Sequence, residues 1–139
     1  GDFTLEFWIY FNAVNNSTTK FVYDMRNSGA TSASFLAQET DNSWTFWNGA
    51  GTQISTGFTG STFSATTWTH VAICRNSGTT KFFVNGTQTN SVADTSSYAN
   101  STIVVGSRYN YANGLNAYID DLRITKGVAR YTTTFSRRP

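Results

Sequence analysis

The strongest constraint on the fold is a strict alternation of apolar side chains near the start of the chain. In Phe3–Phe11 every odd position is apolar, while the even positions carry Thr, Glu, Trp and Tyr. Successive side chains of a β-strand point to opposite faces, so this period of two predicts a half-buried strand. No window of ten or more residues keeps the helical period of about 3.6 residues. The pattern therefore predicts an all-β fold.

Further strand-like segments follow, separated by short stretches that are rich in Asn, Gly and Ser. The predicted strands are Lys20–Met25, Ser34–Glu39, Trp44–Trp47, Trp68–Arg75, Lys81–Val84, Thr87–Val92, Ile103–Gly106 and Tyr118–Thr125, with an irregular strand around Gln53–Ser55. Asn85-Gly86 predicts a two-residue hairpin turn, and Asn76–Thr80 predicts a longer hairpin loop. Many short strands in one domain must close into a sandwich or barrel, because single sheets leave exposed edges.

The last predicted strand departs from simple alternation. Ile119 and Leu122 are three residues apart, with Asp120 and Asp121 between them. Either both faces of this strand are buried, or a β-bulge resets its register. A bulge would let one of the two carboxylates turn toward a partner.

Composition excludes several classes of protein. Only 13% of the residues are charged, the net charge is +2 and the basic residues are scattered, so nucleic acid is not an expected partner. No apolar run approaches the roughly 18 residues that span a bilayer, so membrane insertion is not expected. The single cysteine, Cys74, excludes an internal disulfide and is predicted to be a small core residue.

Several stretches together resemble the laminin-G-like, concanavalin A-like jelly-roll superfamily. They are Asp2–Ile9, Thr67–Ala72, Phe82–Gly86 and Ala117–Tyr131, and they are similar in style to modules of tailed-phage and environmental viral structural proteins. The resemblance implies a two-sheet antiparallel β-sandwich over residues 1–135, followed by an exit segment over 136–139. It also implies ligands bound at loops or on the concave face of one sheet.

The resemblance also implies strands that this chain does not contain. Family members usually have one or two strands before the segment that matches Asp2–Ile9, and these pair with the closing strand. We therefore expect the chain to be an excerpt of a longer polypeptide, or a neighbouring subunit to supply those strands. An unpaired closing strand would expose backbone N–H and C=O groups and invite association with other subunits or domains.

Metal binding and catalysis have few candidate residues. By resemblance, Asp120 matches an aspartate that helps to hold a structural calcium ion in the superfamily. Ca²⁺ takes six to eight oxygen ligands, so the alternative is a carboxylate that accepts hydrogen bonds at a bulge. The related hydrolases carry an E-x-D-x-x-E strand, and none of the eight acidic residues has that spacing. Since His70 is the only histidine, we predict that the chain is not an enzyme.

Glycan binding is the strongest functional candidate, because sugar sites combine flat aromatic faces with amide or charged donors. The predicted ligand-binding residues are Arg108, Tyr109, Asn110, Tyr111, Asn113 and Trp47. Trp44 and Trp47, beside Asn42 and Asn48, form a second such cluster, and Trp8 and Tyr10 on the outer face of the first strand form a third. The alternative is that these rings pack in the core or over the edge of the sandwich.

These observations lead to two functional hypotheses. The first is a non-catalytic adhesion or decoration module on a virion or extracellular protein, with glycans or cell-surface polysaccharide as partners. The second is a structural module that packs against other subunits of a capsid or tail and binds no glycan. Neither requires a cofactor beyond the structural calcium that the resemblance suggests at Asp120.

Overall fold

The computed structural model describes residues 1–14, 17–29 and 33–136, and these form ten β-strands and no helix. In chain order the strands are β1 (Phe3–Phe11), β2 (Lys20–Asp24), β3 (Phe35–Gln38), β4 (Trp44–Trp47), β5 (Gln53–Ser55), β6 (Trp68–Asn76), β7 (Thr79–Val84), β8 (Thr87–Ala93), β9 (Val104–Val105) and β10 (Ala117–Lys126). Every predicted strand is present, with ends that differ by one or two residues. The irregular segment is a regular strand, β5.

The strands form two five-stranded antiparallel sheets. The first sheet has the order β10-β1-β6-β7-β8, and the second has the order β5-β4-β3-β2-β9. This confirms the predicted two-sheet antiparallel β-sandwich. Within the described part of the chain, no helix is long and apolar enough to cross a membrane.

The core lies between the sheets and follows from the alternation in the sequence. The odd positions of β1 all point inward, and Phe7 and Ile9 are fully buried. Opposite them, the second sheet contributes Leu36 and Phe46. Each such side chain stabilises the fold by about 1.5–3 kcal/mol when it leaves water, so the two inner faces are the main source of cohesion.

Two tight turns organise the first sheet. Asn85 and Gly86 both have positive φ (52° and 82°) and join β7 to β8 as the predicted two-residue turn. Between β6 and β7 the predicted five-residue loop is wrong. Ser77 and Gly78 (φ 48° and 77°) make a two-residue turn there, because two adjacent left-handed residues match the twist of a hairpin and let both strands lengthen.

The predicted bulge is present in β10. Asp121 has a φ of 48°, and the pairing with β1 shifts so that Glu6 lies opposite Arg123 while Trp8 lies opposite Asp120. Strand β10 is at the edge of the first sheet and, among the described residues, pairs with β1 alone. The expected pairing of its other edge with further strands stays a prediction.

After β10 the chain turns back over the outer face of the first sheet. The Thr4 hydroxyl donates to the carbonyl of Val128 at 2.9 Å, and the Phe135 N–H donates to the carbonyl of Gly86 at 2.9 Å. Cys74 is buried beneath this C-terminal segment, defined here as residues 127–136, which confirms its predicted packing role. The exit segment predicted at 136–139 lies, apart from residue 136, outside the described residues.

Candidate functional site

Aromatic rings cover part of the outer face of the second sheet. Phe21, Phe35 and Trp47 occupy outward positions on β2, β3 and β4, because they alternate with the inward-facing core residues of the same strands. The ring of Trp47 stacks on Phe35 with centroids 5.4 Å apart and planes 18° apart. Phe21 leans against Phe35 at 5.4 Å. The partly exposed indole of Trp47 therefore lies flat on Phe35, and Phe35 in turn packs against Phe21.

An arginine continues this aromatic surface. The Arg26 guanidinium lies 4.2 Å from the ring centre of Phe35 and 5.3 Å from that of Tyr109. Asp24, whose side chain is fully buried, fixes it through a 2.7 Å ion pair. The same carboxylate accepts the backbone N–H of Tyr109 at 3.1 Å. Buried charges need such pairing. Asp24 therefore sets the positions of both Arg26 and the loop that carries Tyr109.

The loop at 107–113 brings further predicted residues to this surface. The Arg108 guanidinium lies 5.0 Å from the ring centre of Tyr109, and its buried Nε donates no hydrogen bond to the described residues. Tyr111 is 81% exposed and has a φ of 62°. The turn is closed by the N–H of Tyr111, which donates to the carbonyl of Arg108 at 2.8 Å.

The two amides of the predicted site have local roles. Asn110 accepts the N–H of Ala112 through its side-chain oxygen at 3.3 Å. The carbonyl of Asn113, a residue with a φ of 56°, accepts the N–H of Phe21 at 3.4 Å. The backbone of Asn113 therefore joins the loop to β2, and the side chain of the exposed Asn110 closes a local turn.

We call the continuous surface of Trp47, Phe35, Arg26, Tyr109 and Arg108 the aromatic–arginine platform. Three of the six predicted site residues belong to it. Phe35 and Arg26 were not predicted, although they join the other three. The alternation in β3 marks Phe35 as outward, but Arg26 follows the end of β2, and only its nearness to Asp24 in sequence hints at its position.

Other aromatic candidates lie elsewhere. Trp44 belongs to the core, with its ring 4.4 Å from that of Phe63, so of the two alternatives core packing is the correct one for this residue. Trp44 and Trp47 are three positions apart on one strand and therefore point to opposite faces. Trp8 and Tyr10 lie on the outer face of the first sheet, where Tyr10 contacts Trp68 at 5.5 Å.

Asp120 lies at the bulge, where its Oδ1 accepts the N–H of Asp121 at 2.8 Å. The described residues contain no group of three His, Cys, Asp or Glu side chains that could hold a metal ion. Asp120 thus supplies a single exposed carboxylate where calcium needs six to eight oxygens. A structural calcium at this position stays a prediction.

Chemically, the platform suits binding rather than bond cleavage. It offers flat apolar faces, a guanidinium fixed by a buried carboxylate, and a second guanidinium at its rim. Asp24 is fully buried behind Arg26 and cannot reach a ligand on the surface. Such a surface can stack on an apolar ring face and donate hydrogen bonds to acceptors at its rim.

Comparison with known proteins identifies the superfamily of this fold. A family model described as the concanavalin A-like lectin/glucanases superfamily, of the laminin-G type, matches residues 1–130. Among solved structures, domain 4 of an extracellular arabinanase from Geobacillus stearothermophilus, in complex with arabinotriose, aligns with a TM-score of 0.65 and 20% identity over 88% of this chain and 59% of that one. No curated protein sequence matches the chain.

Two further structures are similar in fold. A candidate carbohydrate binding protein from Bacteroides ovatus has a TM-score of 0.67 and 15% identity, over 94% of this chain and 38% of that one. The binding domain of botulinum neurotoxin serotype D has a TM-score of 0.63 and 19% identity, over 88% and 33%. The chain therefore corresponds to only a part of each, and at these identities the likeness shows the fold alone.

Proposed function

The chain belongs to the laminin-G type of the concanavalin A-like lectin/glucanases superfamily, and from that membership we propose that it is a non-catalytic carbohydrate-binding module of an extracellular or virion-surface protein. The observation that carries the proposal is the run of ring and guanidinium planes from Trp47 to Tyr109 on one surface. Its role is adhesion to glycans or cell-surface polysaccharide.

The physical basis is the match between this surface and a sugar ring. A pyranose or furanose has an apolar face of C–H groups and a rim of hydroxyls, so it can stack on an aromatic plane while its hydroxyls bind polar neighbours. Trp47 and Tyr109 provide the planes. Arg108 and the amide of Asn110 provide donors beside them, and the exposed ring of Tyr111 extends the contact along an oligosaccharide.

Two features support a non-catalytic role. Asp24 is bound to Arg26, and the two oxygens of Glu39 accept hydroxyl donors from Thr19 and Thr45, each at 2.7 Å. Both carboxylates already have structural partners, which disfavours their use as an acid–base pair. Release of reducing sugar from β-glucans or arabinans by the purified chain would overturn this part of the proposal.

The direct test is a glycan array that includes arabino-oligosaccharides, chosen because the arabinanase domain was solved with arabinotriose. The wild-type chain should bind at least one neutral oligosaccharide family. Trp47→Ala and Tyr109→Ala should each weaken that binding about tenfold, equivalent to about 1.4 kcal/mol. Trp68→Ala is the matched control, because Trp68 is a 43% exposed tryptophan on the opposite sheet.

Two results would contradict this site. One is an array without hits for the folded wild-type chain. The other is binding that is unchanged in both platform variants, with thermal unfolding used to check that each variant is folded.

A second function, structural packing in a larger assembly, is favoured by the free edge of β10. This strand exposes Tyr118, Leu122 and Ile124, and one backbone edge has no partner among the described residues. Exposed, apolar edge strands tend to pair with another chain. The test is sedimentation of the purified chain, alone and with Ile124→Lys. Self-association that the substitution abolishes supports this role, and a monomer at all concentrations argues against edge pairing between copies.

A further inference from the structure

A cavity lies on the outer face of the first sheet, on the opposite side of the sandwich from the platform. It has a volume of about 400 Å³, within the range of roughly 300–1,000 Å³ that is common for ligand sites. Its floor carries Glu6 and Trp8 of β1 and His70 of β6, and its sides include Arg123 of β10 and Arg130 of the C-terminal segment. We call it the Glu6 cavity.

The carboxylate at its floor is buried and asymmetric. The Glu6 side chain is 6% exposed. Its Oε2 accepts the Tyr131 hydroxyl at 2.6 Å and lies 3.6 Å from Nε2 of His70. Its Oε1 is also buried and forms ion pairs with Nε of Arg130 at 3.2 Å and with Arg123 at 3.7 Å, but it accepts no hydrogen bond from the described residues. Oε2 thus has a hydrogen bond, whereas Oε1 has ion pairs alone.

The two ion pairs offset the charge of Oε1, but native structures contain few buried oxygens that accept no hydrogen bond. Glu6 lines an open cavity, so a donor that enters the cavity can supply that hydrogen bond.

The charges around the cavity specify the kind of ligand. Glu6 and Asp121 are negative, and Arg123 and Arg130 are positive, so the formal charges of these four side chains balance. The guanidinium of Arg123 lies 3.7 Å from Glu6 and 3.5 Å from Asp121. An anion would be repelled by the buried carboxylate and a cation by the arginines. A neutral group that both donates and accepts hydrogen bonds suits this mixed lining.

The walls add apolar surface. Tyr131 stacks on Phe135 with ring centres 3.6 Å apart and planes 10° apart, and Trp8 packs edge-on against His70 at 5.2 Å. Polar groups that converge beside aromatic surface are typical of small-molecule sites.

We propose that the Glu6 cavity is a second binding site that takes a neutral polyhydroxylated ligand through two adjacent hydroxyls. One hydroxyl donates to Oε1 of Glu6, and its neighbour accepts from the guanidinium of Arg130 or Arg123. The Trp8 and Tyr131 rings cover the carbon skeleton. This site goes beyond the platform and does not depend on it, because no residue is shared and the two lie on different sheets.

The test is an NMR titration of the full chain that follows the indole N–H signal of Trp8. The probes are D-glucose, D-galactose, D-mannose and L-arabinose, with D-glucuronic acid and D-glucosamine as charged analogues. At least one neutral sugar should shift the Trp8 signal saturably and more strongly than its charged analogue. Glu6→Gln should weaken that binding about tenfold or more, and Trp47→Ala should leave it unchanged.

Three results would overturn the proposal: no saturable shift with any neutral sugar, tighter binding of glucuronic acid or glucosamine, or unchanged affinity in folded Glu6→Gln. If Glu6→Gln is unfolded, Arg123→Gln is used instead. The Arg123 side chain is 45% exposed, so its replacement does not disturb the core. It should weaken binding severalfold, and equal affinity would count against the site. Loss of array binding in Trp47→Ala tests the platform alone. Either proposal can therefore fail while the other stands.

Discussion

The hydroxyl of Tyr131 donates a 2.6 Å hydrogen bond to Oε2 of Glu6, across 125 residues of sequence. This contact ties the C-terminal segment to the first strand and forms one side of the Glu6 cavity. Burial and then the hydrogen bond to Glu6 raise the pKa of Tyr131. The C-terminal segment thus covers part of the outer face of the first sheet.

Tyr131→Phe tests the energetic value of this contact. It removes the hydroxyl and leaves Oε2 of Glu6 without its closest donor, and hydrogen bonds to charged groups contribute about 1.5–3 kcal/mol. Because Tyr131 is partly exposed, we expect the free energy of unfolding in urea to fall by about 1–2 kcal/mol. Tyr111→Phe is the control, since Tyr111 is 81% exposed, and an equal loss in both variants would refute the structural role.

Asp94→Asn should be among the most damaging polar substitutions. Asp94 is buried, and its carboxylate accepts hydrogen bonds from Thr80, Tyr98, Ser96 and Asn48. An amide cannot accept at both positions, so we expect the free energy of unfolding to fall by about 2–4 kcal/mol. Asp41→Asn, at an exposed turn, keeps its acceptor for the N–H of Ser43 and should change stability far less.

The same carboxylate predicts acid sensitivity. Burial acts to raise the pKa of Asp94, but hydrogen bonds from Ser96, Tyr98 and Thr80 outweigh it and lower the pKa. A folded pKa below the unfolded value of about 3.9 contributes stability above that value, which is lost as the pH falls through the folded pKa. The stability gap between wild type and Asp94→Asn should therefore narrow in urea titrations at acid pH, and a gap that widens would contradict the assignment.

Two tyrosines, the buried Tyr23 and the partly buried Tyr98, predict an alkaline limit of stability. Burial raises the pKa of Tyr23, and burial together with the hydrogen bond to Asp94 raises the pKa of Tyr98. Both phenols are therefore held protonated by the fold. Their contribution is complete below the unfolded pKa of about 10 and is lost as the pH rises above it. We expect tyrosinate absorbance to show two of the seven tyrosines ionising only as the chain unfolds, and Tyr23→Phe to lessen the alkaline loss of stability.

Gly86 is predicted to be intolerant of any side chain. A Cβ at Gly86, with a φ of 82°, would come within 2.1 Å of the Phe135 carbonyl oxygen. Gly106→Ala is the matched control, since its φ is 77° but nothing lies within 4 Å of its Cβ. Left-handed strain of about 1–2 kcal/mol applies to both. Gly86→Ala should lose at least about 1 kcal/mol more and release the C-terminal segment, seen as faster proteolysis there.

The fold followed closely from the sequence, because its determinants are local. The period of two placed β1 and its inward face, and Asn85-Gly86 set a hairpin whose geometry depends on two residues. The bulge was marked by the spacing of Ile119 and Leu122. The loop between β6 and β7 was predicted too long, since whether Asn76 and Thr79 pair across the hairpin is decided by the neighbouring strands.

The platform was predicted only in part, because it depends on contacts between distant segments. Trp47 and Tyr109 were both chosen for composition, but their common surface arises from Phe35 and Arg26, which composition did not single out. Trp44 and Trp47 are an odd number of positions apart, so alternation along β4 already separates their faces. The Glu6 cavity could not be foreseen, since Glu6 and Tyr131 meet only when the C-terminal segment folds back.

The four tryptophans allow the most direct test of the central claim that the platform binds carbohydrate. Trp47 lies on the platform, Trp44 in the core and Trp68 on the opposite sheet, so their indole N–H signals report separate places. With an oligosaccharide that the array selects, NMR titration should move the Trp47 signal saturably and leave those of Trp44 and Trp68 in place. Saturable binding that leaves the Trp47 signal unmoved would contradict the account.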